Sequence, residues 1–294
     1  LLHDSKNNYW LATQDKGVLF FSVNAKMEIA SWQYLINEKG DNGSLVSNST
    51  WHAFEDKEKN IWISTWDGIS KFNYSRFDFQ HFNFDKTSFN IYDQNINCVI
   101  ATDSNHVLAG GDNNELYLLG KDDSRIIPLQ LASGNFKKAI LKTTSFLIDK
   151  AGNLYVGTQG NVLFLDSRKF QKMLADKTYN PVFDTINNRT NTKTNFIMSM
   201  ALRRNGNVVF GTGRGLIELD TSTKNVTALY FGDQSQHIIR CVAEDPTDGS
   251  IWMGSDNGLH QLKNNKINTY KQSTDASSIS SNTINAICFD GENK

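Results

Sequence analysis

Three observations predict an all-β chain of the β-propeller class. Its apolar runs are strand-length, no long helical pattern interrupts them, and one hairpin recurs six times in 294 residues. The clearest copy is 60–72, Asn-Ile-Trp-Ile-Ser-Thr-Trp-Asp-Gly-Ile-Ser-Lys-Phe, where two apolar runs flank a polar turn ending in Gly68. Its anchor Trp62 aligns with Trp10, Leu108, Tyr155, Val209 and Trp252, in steps of 52, 46, 47, 54 and 43 residues. A single hairpin cannot bury its apolar face in water, so the copies must pack on one another. The expectation is four-stranded antiparallel blades in a six- or seven-bladed ring, with 1–294 as one propeller domain.

The first strand of each copy precedes an acidic turn and is expected at 52–55, 96–102, 146–148, 197–202, 238–243 and 284–289. The turn residue lies 5 to 7 positions before the anchor: Asp4, Asp56, Asp103, Asp149 and Asp245, with Arg203 in the fifth copy. Asp accepts backbone N–H bonds and holds tight turns, so the role expected of it is structural. The second strand carries the anchor, and the third follows the turn Gly, as in 69–72 and 216–219. Fourth strands are expected at 28–36, 77–84, 125–131, 226–231 and 267–271, weaker and wetter as edge strands. An Asn precedes the acidic position by eight residues at Asn48, Asn95, Asn195 and Asn282, a series broken by Leu141 and His237. Two stretches depart from the pattern. Residues 167–194 read as an insertion opening with a short helix at 168–176, Phe170, Met173 and Leu174 on one side; 37–50 is a Gly/Asn/Ser-rich loop.

The tail at 290–294 begins another acidic turn, whose anchor would fall at about position 296 by the same spacing. Either 284–289 completes the first blade by strand exchange, or the chain is an excised part of a seven-bladed ring. The cut appearance of both ends favours the second.

Bulk composition narrows the function. Thirty basic and 31 acidic residues leave a net charge of −1 with no polybasic stretch, so neither nucleic acid nor an anionic membrane is an expected partner. No apolar run approaches the roughly 20 residues of a membrane helix. Cys98, Cys241 and Cys288 recur before the acidic turns and read as buried free thiols. The histidines are scattered without metal-ligand spacing and no Cys-x-x-Cys occurs, so no metal or cofactor is expected. The Gly pairs at Gly110-Gly111 and Gly211–Gly213 lie between strands and open no helix, so they cradle no phosphate. The anchor aromatics are read as wedges between blades, each contributing ~2–3 kcal/mol when buried.

Recognition is then left to the turns between second and third strands and the connections between blades. The candidate ligand-binding residues are Trp66, Asp67, Trp51, Arg214, Asp256, Asn257, His237 and Asn282, with Gln14, Asp15, Asp112, Asn113, Gln159 and Gln236 on the same loops. Directed Asp, Asn and Gln groups beside an exposed indole suit a sugar, whose hydroxyls need hydrogen bonds and whose apolar face needs an aromatic plate. Trp66 stands out because the equivalent turns carry Gln, Asp or Gly; its alternative is packing on the next blade. Arg214 suits a uronate or sulfate, or is solvated surface.

The motif at 56–72, and those at 248–262 and 278–287, resemble the two-component regulator propeller repeat. Copies two and six are close, and copy three lacks both the Trp and the Gly. The resemblance implies the periplasmic sensor region of a hybrid two-component histidine kinase, responding to oligosaccharides from glycan breakdown and non-catalytic in itself. It also implies a downstream β-sandwich, a transmembrane helix and kinase regions in the same protein, and a homodimer. The alternatives are a propeller lyase or glycosidase drawing on Asp15, Asp67, Asp112 or Asp256, or a structural propeller that only dimerises.

Overall fold

The computed structural model describes residues 1–82, 95–103, 106–112, 114–120, 125–131, 142–186, 196–229, 238–275 and 277–289. It is a β-propeller of six blades, with one short helix among the described residues. Blade one is β1 (Leu2–His3), β2 (Asn8–Ala12), β3 (Val18–Val23) and β4 (Ile29–Leu35). Blade two is β5 (Thr50–Glu55), β6 (Ile61–Thr65), β7 (Gly68–Asn73) and β8 (Asp78–Phe82); blade three is β9 (Ile96–Ala101), β10 (His106–Gly111), β11 (Glu115–Gly120) and β12 (Arg125–Pro128). Blade four adds β13 (Gln130–Leu131) to β14 (Thr143–Ile148), β15 (Leu154–Thr158) and β16 (Val162–Leu165), then α1 (Ser167–Ala175) and β17 (Val182–Thr185). Blade five is β18 (Ile197–Leu202), β19 (Val208–Thr212), β20 (Gly215–Leu219) and β21 (Val226–Leu229). Blade six is β22 (Ile239–Glu244), β23 (Ile251–Ser255), β24 (Gly258–Lys263) and β25 (Lys266–Tyr270).

Backbone contacts group β1–β12 into one compact unit and almost all of β13–β25 into a second. In the first unit two clusters hold the blades. Blades one and two share Trp10, Val18, Leu45, Ala53, Ile61, Ile63, Phe72 and Phe79; blades two and three share Trp62, Ile69, Ile96, Val99, Val107, Ala109, Tyr117 and Leu119. In the second unit Tyr155, Ile197, Val208 and Phe210 belong to a cluster joining blades four and five, and Val209, Ile239, Ile251 and Met253 to one joining five and six. The anchor positions are therefore wedges, as expected. Five of the six are buried, and Trp252, partly buried, stacks on Tyr270 at 5.6 Å between ring centroids.

The small residue two positions after the anchor has a geometric cause. A Cβ on Gly211 would lie 2.6 Å from Ser199 Oγ and 2.9 Å from Ile239 O, and one on Gly254 would lie 2.7 Å from Ile284 O. The opening segment of the following copy passes directly over Gly211 and Gly254, which leaves those two positions no room for a side chain. Gly211→Val is expected to cost ~1–3 kcal/mol in urea unfolding, since the obstruction includes backbone. A cost below the error of the fit would show that the strands separate freely.

Four expectations need correction. The first blade owns four strands, β1 being just two residues, and 284–289 forms no strand in its sheet. That segment instead meets blade six as 48–50 meets blade one: Gly258 N donates to Asn282 O at 2.6 Å and Ile284 N to Ser255 O at 2.9 Å, matching Gly17 N to Asn48 O and Thr50 N to Thr13 O, both 2.8 Å. The outer strand expected at 125–131 divides into β12 and β13, and β13 pairs in parallel with β17, giving blade four a fifth strand. The outer strand β4 is wet as expected but not polar as expected, since its exposed residues include Ile29, Trp32 and Tyr34. Trp32 is 63% exposed, so Trp32→Lys is expected to change unfolding free energy by only about 0.5 kcal/mol. A larger loss in a urea melt would mean the ring is packed. Lastly, Cys98 is a buried free thiol but Cys288 is exposed. The inserted helix forms as expected, Phe170, Met173 and Leu174 being its buried residues.

Candidate functional site

The acidic turns are built as the sequence implies, and they do one thing more. Asp4 Oδ1 accepts the backbone N–H of Lys6 and Asn8, both at 2.9 Å, while Oδ2 accepts the indole N–H of Trp10 at 2.7 Å. Asp56 repeats this with Asn60 N at 2.8 Å and Trp62 Nε1 at 2.7 Å, and Asp149 Oδ2 accepts the Tyr155 hydroxyl at 3.2 Å. The six-residue spacing thus serves both the turn and the wedge. Where the anchor is Val209 there is no polar ring hydrogen to accept, and Arg203 pairs instead with Glu218 at 2.7 Å and Glu244 at 3.3 Å. These groups serve the turns and the wedges, and the candidate binding residues lie at the opposite end of the strands.

At that opposite end a bulge recurs. The ladders slip between Thr50 and His52, between Ile197 and Ser199, between Ile239 and Cys241, and opposite Ile96 and Cys98. The surplus residues are Trp51, Met198, Arg240 and Asn97. A bulge re-aims the extra side chain, here toward the residue four after the anchor. Trp51 meets Trp66 with ring centroids 6.4 Å apart and planes tilted 39°. Asn97 Nδ2 donates to Asp112 Oδ1 at 2.8 Å, and Arg240 Nε donates to Asp256 Oδ1. One backbone device therefore presents a different chemical pair on blades two, three and six.

Most of these pairs are satisfied internally. Asp112 also receives Lys142 Nζ at 2.8 Å and Asn95 Nδ2 at 3.0 Å. Burial pushes its carboxyl up, but the Asn97 and Lys142 bonds outweigh that and hold it below the usual carboxylate range. Asn257 Oδ1 accepts Lys271 Nζ, and Asn282 Oδ1 accepts Gln272 N, both at 2.8 Å. The Asn282 bond parallels Asn48 Oδ1 with Asn37 N at 2.7 Å, the structural role one reading of the Asn series gives. Arg214 is exposed in the β19–β20 turn, its own N–H bonded to Thr212 Oγ1 at 3.0 Å. Asp67 is exposed beside Trp66. His237, Gln236 and Asn113 lie outside the described residues.

The pair on blade two differs. Trp51 and Trp66 are 39% and 49% exposed, and with Gln14, Asp15 and Ser49 they line an open cleft of about 470 Å³. Its frame is fixed by backbone and hydroxyl bonds. Thr50 Oγ1 accepts Thr13 N at 2.8 Å and donates to the carbonyl region of Thr13 and Gly17 at 3.0 Å; Trp66 N donates to Ser49 O at 2.9 Å. Gly68, at φ 136°, lets the Trp66 turn close, and Thr65 Oγ1 bonds Gly68 O at 3.0 Å. Among the described residues, the side chains of Gln14, Asp15 and Ser49 and both indole N–H groups make no hydrogen bond. Rigid backbone, exposed rings and unspent polar groups coincide here. Sequence reasoning placed Trp51, Trp66, Gln14 and Asp15 on these loops but overlooked Ser49; its signal was the position just after the Asn48 marker.

Comparison with known proteins agrees with this architecture. The profile of the two component regulator propeller family matches residues 44–67, the stretch holding Ser49, Trp51 and Trp66. The chain is similar in structure to the extracellular domain of BT4673 from B. thetaiotaomicron, described as a hybrid two component system, at 18% identity and TM-score 0.74. That match covers 97% of this chain and 34% of the other. The corresponding domain of BT3049 from the same organism matches at 18% identity and TM-score 0.65, covering 97% and 36%. Virginiamycin B lyase from Staphylococcus aureus matches at 11% identity and TM-score 0.62, covering 92% and 86%. The chain spans about a third of the length of the two B. thetaiotaomicron chains. No curated protein matches. Among the described residues no helix is long and apolar enough to cross a membrane.

Proposed function

We propose that this chain is an extracytoplasmic ligand-recognition domain of a hybrid two-component regulator, and that it binds oligosaccharides without transforming them. The observation carrying the reading is the Trp51–Trp66 cleft, with rings to face a sugar and free Gln14, Asp15 and Ser49 to bond its hydroxyls. The propeller-repeat match over the same residues and the likeness to sensor domains support the setting. On this reading a β-sandwich and a membrane-anchored kinase follow in the same periplasm-facing protein, which works as a homodimer.

A lyase or glycosidase reading draws on the likeness to virginiamycin B lyase. Its weakness is chemical. A general acid needs a raised pKa, and of the four candidate carboxylates Asp112 is held low by its bonds and Asp256 is tied to Arg240, which leaves Asp15 and Asp67 to carry that chemistry. Incubating the chain with oligosaccharides and with virginiamycin B, then looking for product, separates the readings. Turnover would sink the sensor assignment, as would a natural gene encoding no membrane helix and kinase.

A further inference from the structure

We infer that the Trp51–Trp66 cleft selects neutral glycans and discriminates against sulfated or uronic-acid ones; this rests on the sugar-binding reading and specifies its ligand. The five residues lining the cleft include one ionisable side chain, the carboxylate of Asp15. Capture of a sulfate or uronate calls for Arg or Lys donors, and among the described residues neither lines it. An anionic group brought beside the rings would instead face Asp15, unpaired among the described residues.

The neighbouring blade shows the contrast. The same bulge-and-turn device there carries Asn97 and Asp112, with Lys142 on Asp112 at 2.8 Å, so charge is present but already neutralised. On blade two the device carries two indoles and no charge of its own. Neutral pyranose rings offer what this lining complements: a C–H face for each indole, and hydroxyls that donate to Asp15 while bonding either way with Gln14 and Ser49. Two rings with centroids 6.4 Å apart and planes tilted 39° put two aromatic surfaces within reach of one short oligosaccharide. Lys16 follows Asp15 in the turn but does not line the cleft, and provides the control position.

The test is titration of the chain with two oligosaccharide pools of matched length, one neutral and one sulfated or uronate-bearing. Tryptophan fluorescence and calorimetry are the readouts. The neutral pool is expected to bind, with fluorescence change and at least roughly tenfold tighter than the acidic pool. Trp66→Ala and Trp51→Ala each weaken it about tenfold or more, Asp15→Asn narrows the discrimination, and Lys16→Ala changes neither. The substituted rings are exposed, so circular dichroism should show an intact fold. Tighter binding of the acidic pool, or neutral binding indifferent to both Trp substitutions, overturns the inference while leaving oligosaccharide recognition standing. Failure of both pools to bind overturns the recognition reading as well.

Discussion

Trp10→Ala is expected to destabilise the chain by about 3–5 kcal/mol. Trp10 has no exposed surface, and its ring packs against Phe20 at 4.7 Å, Phe72 at 4.9 Å and Tyr74 at 6.0 Å between centroids. Truncation removes the wedge between blades one and two. It also leaves Asp4 without the indole N–H that one of its oxygens accepts. The neighbours cannot collapse into the space, because Phe72 is itself held by Phe77 and Phe79 at 5.0 and 5.1 Å. The urea midpoint should fall with the slope nearly unchanged, as for a loss of stability without a change of unfolded state. Trp10→Phe separates the two contributions, keeping much of the ring contact and losing the hydrogen bond. If Trp10→Ala costs no more than Trp32→Lys, the blades are not joined through their anchors.

The contrast between those two tryptophans shows what the sequence could and could not reveal. Trp10 sits at the repeat position that defines the period, so its burial is legible from the spacing alone. Trp32 lies in the fourth strand, which the repeat pattern places at a wet edge although its composition, Ile-Ala-Ser-Trp-Gln-Tyr-Leu, looks like core; the sheet order, with β4 at an edge, decides for the pattern. The site was legible at the level of loops and no finer. Periodicity puts Trp51 and Trp66 near the same end of a blade, but their meeting depends on a one-residue bulge. A bulge changes which way a side chain points without leaving a mark in the hydrophobic pattern. Likewise nothing in the run of Asp and Asn residues told which would be spent on internal bonds. Asp256 and Asp15 occupy comparable turns, yet Arg240 claims the first and no described residue claims the second. That difference is decided by a residue one strand away.

The second large effect concerns Asp4 and acid. Its carboxylate is 2% exposed and accepts from Trp10, Tyr74, Lys6 and Asn8. Burial raises its pKa, but the bonds from Tyr74, Trp10 and the backbone more than compensate, so the folded value lies below 3.8. Burial and the bond to Asp4 push the Tyr74 hydroxyl well up, so it stays a donor throughout the accessible pH range. A carboxylate with a depressed folded pKa gives stability that is complete above the unfolded value and lost as pH falls through the folded one. Asp4→Asn places an amide, with one acceptor atom in place of two, against four donors. At pH 7 the expected cost is about 2–4 kcal/mol, from several buried donors left short of a partner. As pH falls below 3.8 the unfolded wild-type chain takes up this proton while the folded one still resists, so the advantage shrinks, and it is lost once pH passes below the depressed folded value. The gap between wild type and Asp4→Asn in urea midpoint should therefore be widest near neutrality and narrow in the acid range. A gap that stays constant from pH 7 to well below 3.8 would mean that Asp4 is held by geometry and not by its charge. The six-residue spacing between acidic turn and wedge would then be a matter of turn shape alone.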